Sequence, residues 1–305
     1  MANITPYTDP SFIKDYFVSN QVDQKSRQTY SSALRRFVSW CNENGLSLGN
    51  LADRDLLIYR EYLTDQELSA STINGYISAV KSLFKWAWEN EFYPTHIAQN
   101  IRTVKAPKDY RKDPFKKGEI LGMIDTLDLD TEKGRRDKAM ILLMASTGLR
   151  TQAVIGITMS DFKTEFKADG TPVQLIRVQH KGQVSKDSIV TIGETLFAVM
   201  MDYYNQKNDP TEFFFTSISR RNKGQALTTK SVRQAVRQAK QRAGVSDDRK
   251  TAHSLRHFAA TALLEATGDV QRVKTMLNHS ASTDTGRYTR MAGRAAQVQN
   301  HIDLI

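Results

Sequence analysis

Residues 102–118 read RTVKAPKDYRKDPFKKG, and this stretch divides the chain into two textures. It carries seven basic residues and two prolines with almost no apolar periodicity, which is the composition of an extended connection between domains. A basic connection can track a phosphate backbone, and it can equally be a soluble tether. The expected organisation is a first domain over residues 1–101, a basic interdomain linker over 102–113 and a second domain over 114–305. At roughly 100–200 residues per domain, a chain of 305 agrees with that count.

Before the connection the sequence reads as short helices. In TYSSALRRFVSWCNENG (29–45), Tyr30, Leu34, Phe37 and Cys41 recur at helical spacing and Gly45 ends the run. In SASTINGYISAVKSLFKWAWENEF (69–92), Ser69 or Ser71 can cap a helix whose broad apolar face holds Ile73, Tyr76, Ile77, Val80, Leu83, Phe84 and Trp86. Aromatics on such a face belong to a core. After the connection, RRDKAMILLMASTGLR (135–150) predicts a helix broken at Gly148. DFKTEF (161–166), VQLIRVQH (173–180) and DSIVTIG (187–193) then have period-two strand character, separated by the turn-forming KADGTP and KGQVSK. Helices resume over 194–207, 228–244, 254–268 and 269–279. The fold class is mainly α with a small antiparallel β-sheet.

Charge follows the same division. Residues 1–100 hold 9 Lys and Arg against 11 Asp and Glu, and residues 101–305 hold 34 against 22, so the surplus lies wholly in the second part. A localised basic surplus points to a polyanion, usually nucleic acid, or to a solvated basic surface. Cys41 is the only cysteine, so no intramolecular disulfide forms and a reducing cytoplasm is expected, with Cys41 itself a small core residue. The start shows no signal-peptide pattern, and the longest apolar run, AMILLMA (139–145), is far below the roughly 20 residues of a membrane span, so no membrane partner is expected.

The basic part also carries reactive residue types at telling places. Arg150 follows the glycine break in ASTGLR (145–150), where its guanidinium leaves a rigid support. Lys181 sits at a hairpin tip beside Gly182, with Lys186 a competitor for any role. His253 and Arg256 in HSLRH (253–257) are i and i+3, so they share a helix face. His279 lies in LNHS near a helix end, and Tyr288 follows nine residues later between two arginines. Each has a bland structural reading when taken alone.

Taken together, ASTGLR, HKGQVSK (180–186), HSLRH and the Leu277 to Tyr288 stretch resemble, in order and spacing, the motifs of the tyrosine recombinases, the phage-integrase family that includes the Xer and Cre recombinases. The resemblance covers about residues 10–292. It implies a helical, SAM-like core-binding domain followed by a tyrosine-recombinase catalytic domain, with Arg150, Lys181, His253, Arg256, His279 and Tyr288 as catalytic residues and Tyr288 as nucleophile. Departures are Ala153 where the family carries an acidic residue, Asn278 where it carries glycine, and one extra residue between the hairpin lysines.

The chemistry implied is phosphoryl transfer to a tyrosine. A phenol of pKa about 10 needs cationic neighbours and a proton acceptor to attack phosphorus. Arg150 and Arg256 would hold the non-bridging oxygens in bidentate fashion, His279 would add a hydrogen bond, His253 would serve as acid and base on the tyrosine, and Lys181 would protonate the departing 5′ oxygen. One phosphodiester-type bond replaces another, so no cofactor, metal or ATP is required. The partners implied are double-stranded DNA with inverted-repeat core sites, a homotetramer on a pair of sites, and accessory DNA-binding proteins. The tail RMAGRAAQVQNHIDLI (290–305) carries Ala295, Val298, Ile302 and Ile305 at helix-like intervals, and the resemblance implies that such a helix packs on a neighbouring protomer. Because the chain enters the core-binding domain almost at once, no arm-binding domain is expected, which favours a simple recombinase of a mobile element or replicon. A type IB topoisomerase and a DNA-binding regulator of the same fold are the alternatives; a metal-dependent transposase or a serine recombinase would need motifs that are not seen.

Overall fold

The computed structural model describes residues 9–19, 24–105, 113–166, 168–179, 185–186, 188–208 and 211–277. The chain forms two compact units, Met1–Asp109 and Tyr110–Ile305.

The first unit is built from α1 (Asp9–Ser19), α2 (Gln24–Glu43), α3 (Asp53–Asp65) and α4 (Ala70–Glu89). Helix α4 starts where a cap is available, with the Ser69 hydroxyl accepting from Thr72 N at 3.2 Å. Its buried face, Ile73, Ile77, Val80, Leu83, Phe84 and Trp86, meets Phe37 and Trp40 of α2 and Tyr59 of α3. Phe37 lies edge-on to Tyr59 at 4.8 Å and to Phe84 at 5.9 Å, the offset geometry that aromatic quadrupoles favour. Cys41 is buried in the same core.

The start of the expected linker is anchored on this unit. Asn74 donates from its amide nitrogen to Val104 O at 2.9 Å and accepts from Val104 N at 2.8 Å. Arg60 Nε donates to Arg102 O at 2.8 Å, and Lys81 Nζ to Ile101 O at 3.0 Å. Residues 106–112 lie outside the described residues. At its far end the basic stretch is no longer extended: Phe115 is buried, and Lys117 and Gly118 already belong to α5 (Lys117–Asp125). Glu119 enables that start, its carboxylate accepting from Lys116 N at 2.8 Å.

In the second unit α6 (Glu132–Thr147) runs through the core, capped by Thr131 at one end and closed by Gly148 at φ 67° at the other. The short α7 (Thr151–Ile155) and a 3-10 turn (Met159–Asp161) lead into β1 (Phe162–Phe166), β2 (Pro172–Val178) and β3 (Ser188–Ile192). The sheet is an antiparallel meander in the order β1-β2-β3, with Ile176 opposite both Phe162 and Val190. Then come α8 (Glu194–Asn205), α9 (Thr229–Arg242), α10 (Ala252–Thr267) and α11 (Val270–Leu277). A mainly helical chain with one small antiparallel sheet is the expected fold class. The tail expected to form a helix over 290–305 lies outside the described residues.

Candidate active site

The first motif occupies the exit of α6. Thr147 Oγ1 donates to Leu143 O at 2.5 Å, Gly148 N donates to Met144 O at 3.0 Å, and the left-handed glycine turns the chain so that Arg150 becomes the N-cap residue of α7. A side chain at 148 has no room, because a Cβ there would sit 2.9 Å from Leu277 Cδ2 and 3.5 Å from Ala259 Cβ. Arg150 is half-buried, on a support fixed by the buried Leu149 and Ala153. Ala153 stands where the resemblance expects a carboxylate, and it fills its place as core.

The second motif lies in the first turns of α10. Thr251 caps this helix, its hydroxyl accepting from His253 N at 3.3 Å while Thr251 N donates to Ser254 Oγ at 3.0 Å. His253 is exposed, with its ring edge-on to His257 at 4.7 Å. Arg256, one turn further along α10, is buried and only 1% exposed. Its Nη1 donates to Gly148 O at 2.6 Å and its Nη2 to Leu277 O at 2.6 Å. Both terminal nitrogens therefore meet main-chain carbonyls, whereas the sequence reading directs them at phosphate oxygens. The consequence is structural: one guanidinium joins the turn carrying Arg150, the helix carrying His253 and the end of α11, two residues before His279. A buried cation that is hydrogen-bonded in this way is tolerated, and it fixes what it touches.

Lys181, His279 and Tyr288 lie outside the described residues, so their placement is not part of this geometry. Lys186, the competitor of Lys181, is described and is engaged: its ammonium forms an ion pair with the buried carboxylate of Asp161. The same carboxylate oxygen accepts from Thr158 N and Thr158 Oγ1, both at 2.8 Å. Burial alone raises the Asp161 pKa, but the bonds from Lys186 and Thr158 outweigh it and hold the carboxyl below its usual range.

Several charged residues near these motifs escaped the sequence reading. Lys250 Nζ reaches both oxygens of Glu119 at 2.6 and 2.7 Å, and Arg249 reaches Asp113 at 2.7 Å, so the loop before α10 is tied to the first residues of this unit. Helix α9 exposes Lys230, Arg233 and Arg237 at i, i+3 and i+7, a basic stripe opposite its buried Val232, Ala235, Val236 and Ala239. The 3.6-residue alternation of that helix was legible in the sequence, and its exposed face needed only to be read for charge. Among the described residues no group of three or more His, Cys, Asp or Glu is placed to hold a metal ion, and no helix is long and apolar enough to cross a membrane.

Comparison with known proteins completes the assignment. Residues 115–294 match the Phage integrase family, and residues 10–91 match the Phage integrase, N-terminal SAM-like domain. Tyrosine recombinase XerC of Staphylococcus aureus (strain USA300 / TCH1516) is 25% identical over 290 residues, covering 93% of this chain and 92% of that protein. Tyrosine recombinase XerD of Staphylococcus epidermidis is 25% identical over 272 residues, with 86% of each chain covered. Among solved structures, the XerH site-specific recombinase in its post-cleavage complex with palindromic difH substrate aligns with a TM-score of 0.70 at 19% identity, covering 96% of this chain and 88% of that one. A lambda integrase tetramer bound to a Holliday junction aligns with a TM-score of 0.66 at 16% identity, covering 93% and 78%. At such identities the structural likeness speaks to the fold. The family match, in contrast, spans more than half of the chain and takes in every motif that Arg256 draws together, and on that ground the chain belongs to the phage integrase family, the tyrosine recombinases.

Proposed function

We propose that the chain is a site-specific DNA recombinase that cuts and rejoins duplex DNA through a 3′-phosphotyrosine intermediate at Tyr288, in the integration, excision or resolution of a mobile element or replicon. The observation that carries this reading is the grip of Arg256 on Gly148 O and Leu277 O, which gathers segments more than a hundred residues apart at one point. The Tyr288 hydroxyl attacks the scissile phosphorus and gives its proton to His253, the bond from phosphorus to O5′ breaks, and Lys181 protonates the departing oxygen. Arg150 and Arg256 face the extra charge of the pentavalent transition state, and His279 adds a hydrogen bond to it. The carbonyl pair fixes the Arg256 guanidinium plane before any phosphate arrives, so this charge needs no reorganisation at the moment of reaction. A free 5′ hydroxyl of another strand then reverses the attack and joins the strands.

Residues 1–101 serve as the core-binding domain, 102–113 as the linker and 114–305 as the catalytic domain. The partners are duplex DNA with inverted-repeat core sites, a homotetramer on two such sites, and accessory DNA-binding proteins, all in the cytoplasm. Support comes from relatives named as tyrosine recombinases and from fold neighbours solved on DNA, one of them as a tetramer. The test is Tyr288→Phe on a nicked suicide substrate. The variant binds its site as the parent does and yields no covalent adduct on a denaturing gel; an adduct that persists moves the nucleophile elsewhere.

A further inference from the structure

The first unit has no basic surplus, with 9 Lys and Arg against 11 Asp and Glu in residues 1–100, so no general positive field holds a polyanion to it. Any grip it exerts on one must come from single, well-placed cations. Several of those described are engaged in the fold: Arg27 donates to Phe17 O at 2.9 Å, Arg35 to Ser31 O at 3.2 Å, Arg60 to Arg102 O at 2.8 Å and Lys81 to Ile101 O at 3.0 Å, while Lys85 pairs with Glu89 at 3.6 Å. Arg36 of α2 is held differently. Its guanidinium carbon lies 5.4 Å from the ring centre of Tyr76 in α4 and 5.8 Å from that of Tyr62 in α3, both cation–π contacts. Nη2 donates to Gln66 Oε1 at a long 3.4 Å, the buried Nε has no partner, and among the described residues no carboxylate pairs with this cation. The Tyr59 ring stacks on Tyr62 at 6.1 Å, and burial pushes its phenol far above the ordinary 10.0, so it supplies no countercharge. Arg36, Tyr62 and Tyr76 are half-buried and Gln66 is exposed, so the cluster opens on the surface. The result is an oriented, unneutralised guanidinium with donors to spare.

We infer that Arg36 is a backbone-phosphate contact of the first unit: its guanidinium, steadied against Tyr62 and Tyr76, takes the non-bridging oxygens of a phosphate of duplex DNA other than the scissile one. This rests on the reading of the chain as a DNA recombinase. A planar fork of N–H donors matches a phosphate as a point charge does not, and the two rings restrain the side chain before the phosphate arrives. Because every phosphate offers the same oxygens, the contact carries no sequence information and sets where the unit sits on the duplex. Arg36 is therefore a positioning residue, remote from any bond that is made or broken.

The salt dependence of DNA binding separates this role from plain stability. The full chain is titrated with a mixed-sequence DNA duplex at a series of salt concentrations, read by fluorescence anisotropy, and the melting of each variant is followed alongside. Arg36→Met keeps an apolar stem against the rings and removes the charge. It should bind roughly tenfold more weakly at low salt, and the slope of log K against log salt should become shallower by about 0.9, the value of one phosphate. Arg36→Lys keeps the charge without the fork, so it should retain the parent slope and lose only part of the affinity. A parent slope in Arg36→Met, with or without a lower melting temperature, would make Arg36 a structural clip between α2 and α3 and overturn the inference. If methionine unfolds the first unit, Arg36→Gln repeats the neutral substitution with a polar side chain; loss of folding in both would equally make the residue structural. Inorganic phosphate tests the other source of the same chemistry: if it raises the melting of the parent's first unit and not that of Arg36→Met, while duplex binding is the same in both, the site takes a free anion and the DNA assignment fails. A parent that does not bind the duplex at all removes the recombinase reading itself, whereas a parent that binds it no better than Arg36→Met removes this inference alone.

Discussion

The two units bury different things. In the first, every buried residue among those described is hydrophobic, and the core is rich in rings: Phe12, Tyr16, Phe37, Trp40, Tyr59, Phe84, Trp86 and Tyr93. In the second, Arg136, Asp137, Asp161, Lys240, Lys250, Arg256 and His257 are buried beside a larger, mixed core that is mainly aliphatic but includes Phe115, Tyr203, Phe214 and Phe215. Each of the carboxylates and cations described there has a partner: Arg136 with Asp137 and Thr216 O, Lys250 with Glu119, Lys240 with Asp247 O, Arg256 with its two carbonyls. Burying a paired ion adds little stability, and removing one partner is strongly destabilising. The first unit therefore rests on apolar burial alone among its described buried residues. The second unit instead buries charged groups that contribute little to folding as pairs and cost much when one partner is removed.

The sharpest break of that contrast is at Arg256. On the proposed role of Arg256, Arg256→Met takes a charged donor away from the transition state and should lower the rate of adduct formation by about 10²–10³. It also leaves Gly148 O and Leu277 O without their donor, at about 1–3 kcal/mol each, so the thermal transition of the second unit falls. Calorimetry should show the transition of the first unit unmoved. If both fall together, the units do not unfold independently and the contrast between them loses its meaning.

Phe37→Ala strikes the opposite unit. It removes a fully buried ring packed on Trp40, Tyr59 and Phe84, at about 3–5 kcal/mol, and should lower only the melting of the first unit. Chemical denaturation followed by tryptophan fluorescence reads this directly, because Trp40, Trp86 and Trp88 all lie in that unit. An unchanged first transition would mean that the aromatic cluster is not what holds it.

These examples show which parts of the molecule could be read in advance. Helices α2 and α4 were legible because their apolar faces repeat cleanly and Ser69 announces a start. Helix α3 was not singled out, since its exposed Leu57 and Ile58 interrupt the amphipathic pattern. The start of α5 was hidden by the basic residues around it, and α7 is too short for periodicity to show. In the site, residue identities came from motif order, as at Arg150, His253 and Arg256. What each side chain bonds did not: the carbonyls held by Arg256 lie 108 and 21 residues away, and nothing local in the sequence marks the pairing of Lys186 with Asp161.

The smallest expected effect separates the units by pH. In the second unit burial raises the Glu119 pKa, but the hydrogen bonds from Lys250 and Lys116 outweigh it and leave the carboxyl below its ordinary value of 4.5. A group whose folded pKa is depressed contributes stability that is present above its unfolded value and is lost as pH falls through the folded one. The second unit should thus hold its melting temperature down to about pH 4.5 and lose this contribution below it, together with that of Asp161, whose ordinary value is 3.8. In the first unit His96 is the corresponding group. Burial, and then the charges of Lys81 and Lys85, push it below its ordinary 6.5, so its neutral form is favoured by folding. Its contribution is present above about 6.5 and declines as pH falls through the lowered value, a higher window than that of the carboxylates. Scanning calorimetry between pH 7 and 3 should therefore show the first transition begin to drift before the second. His96→Gln should remove the early drift and Glu119→Gln should flatten the late one. Both shifts will be modest, because each group keeps contact with water that screens its partners. A second transition that drifts first would place a titrating group other than these carboxylates in control of the catalytic unit.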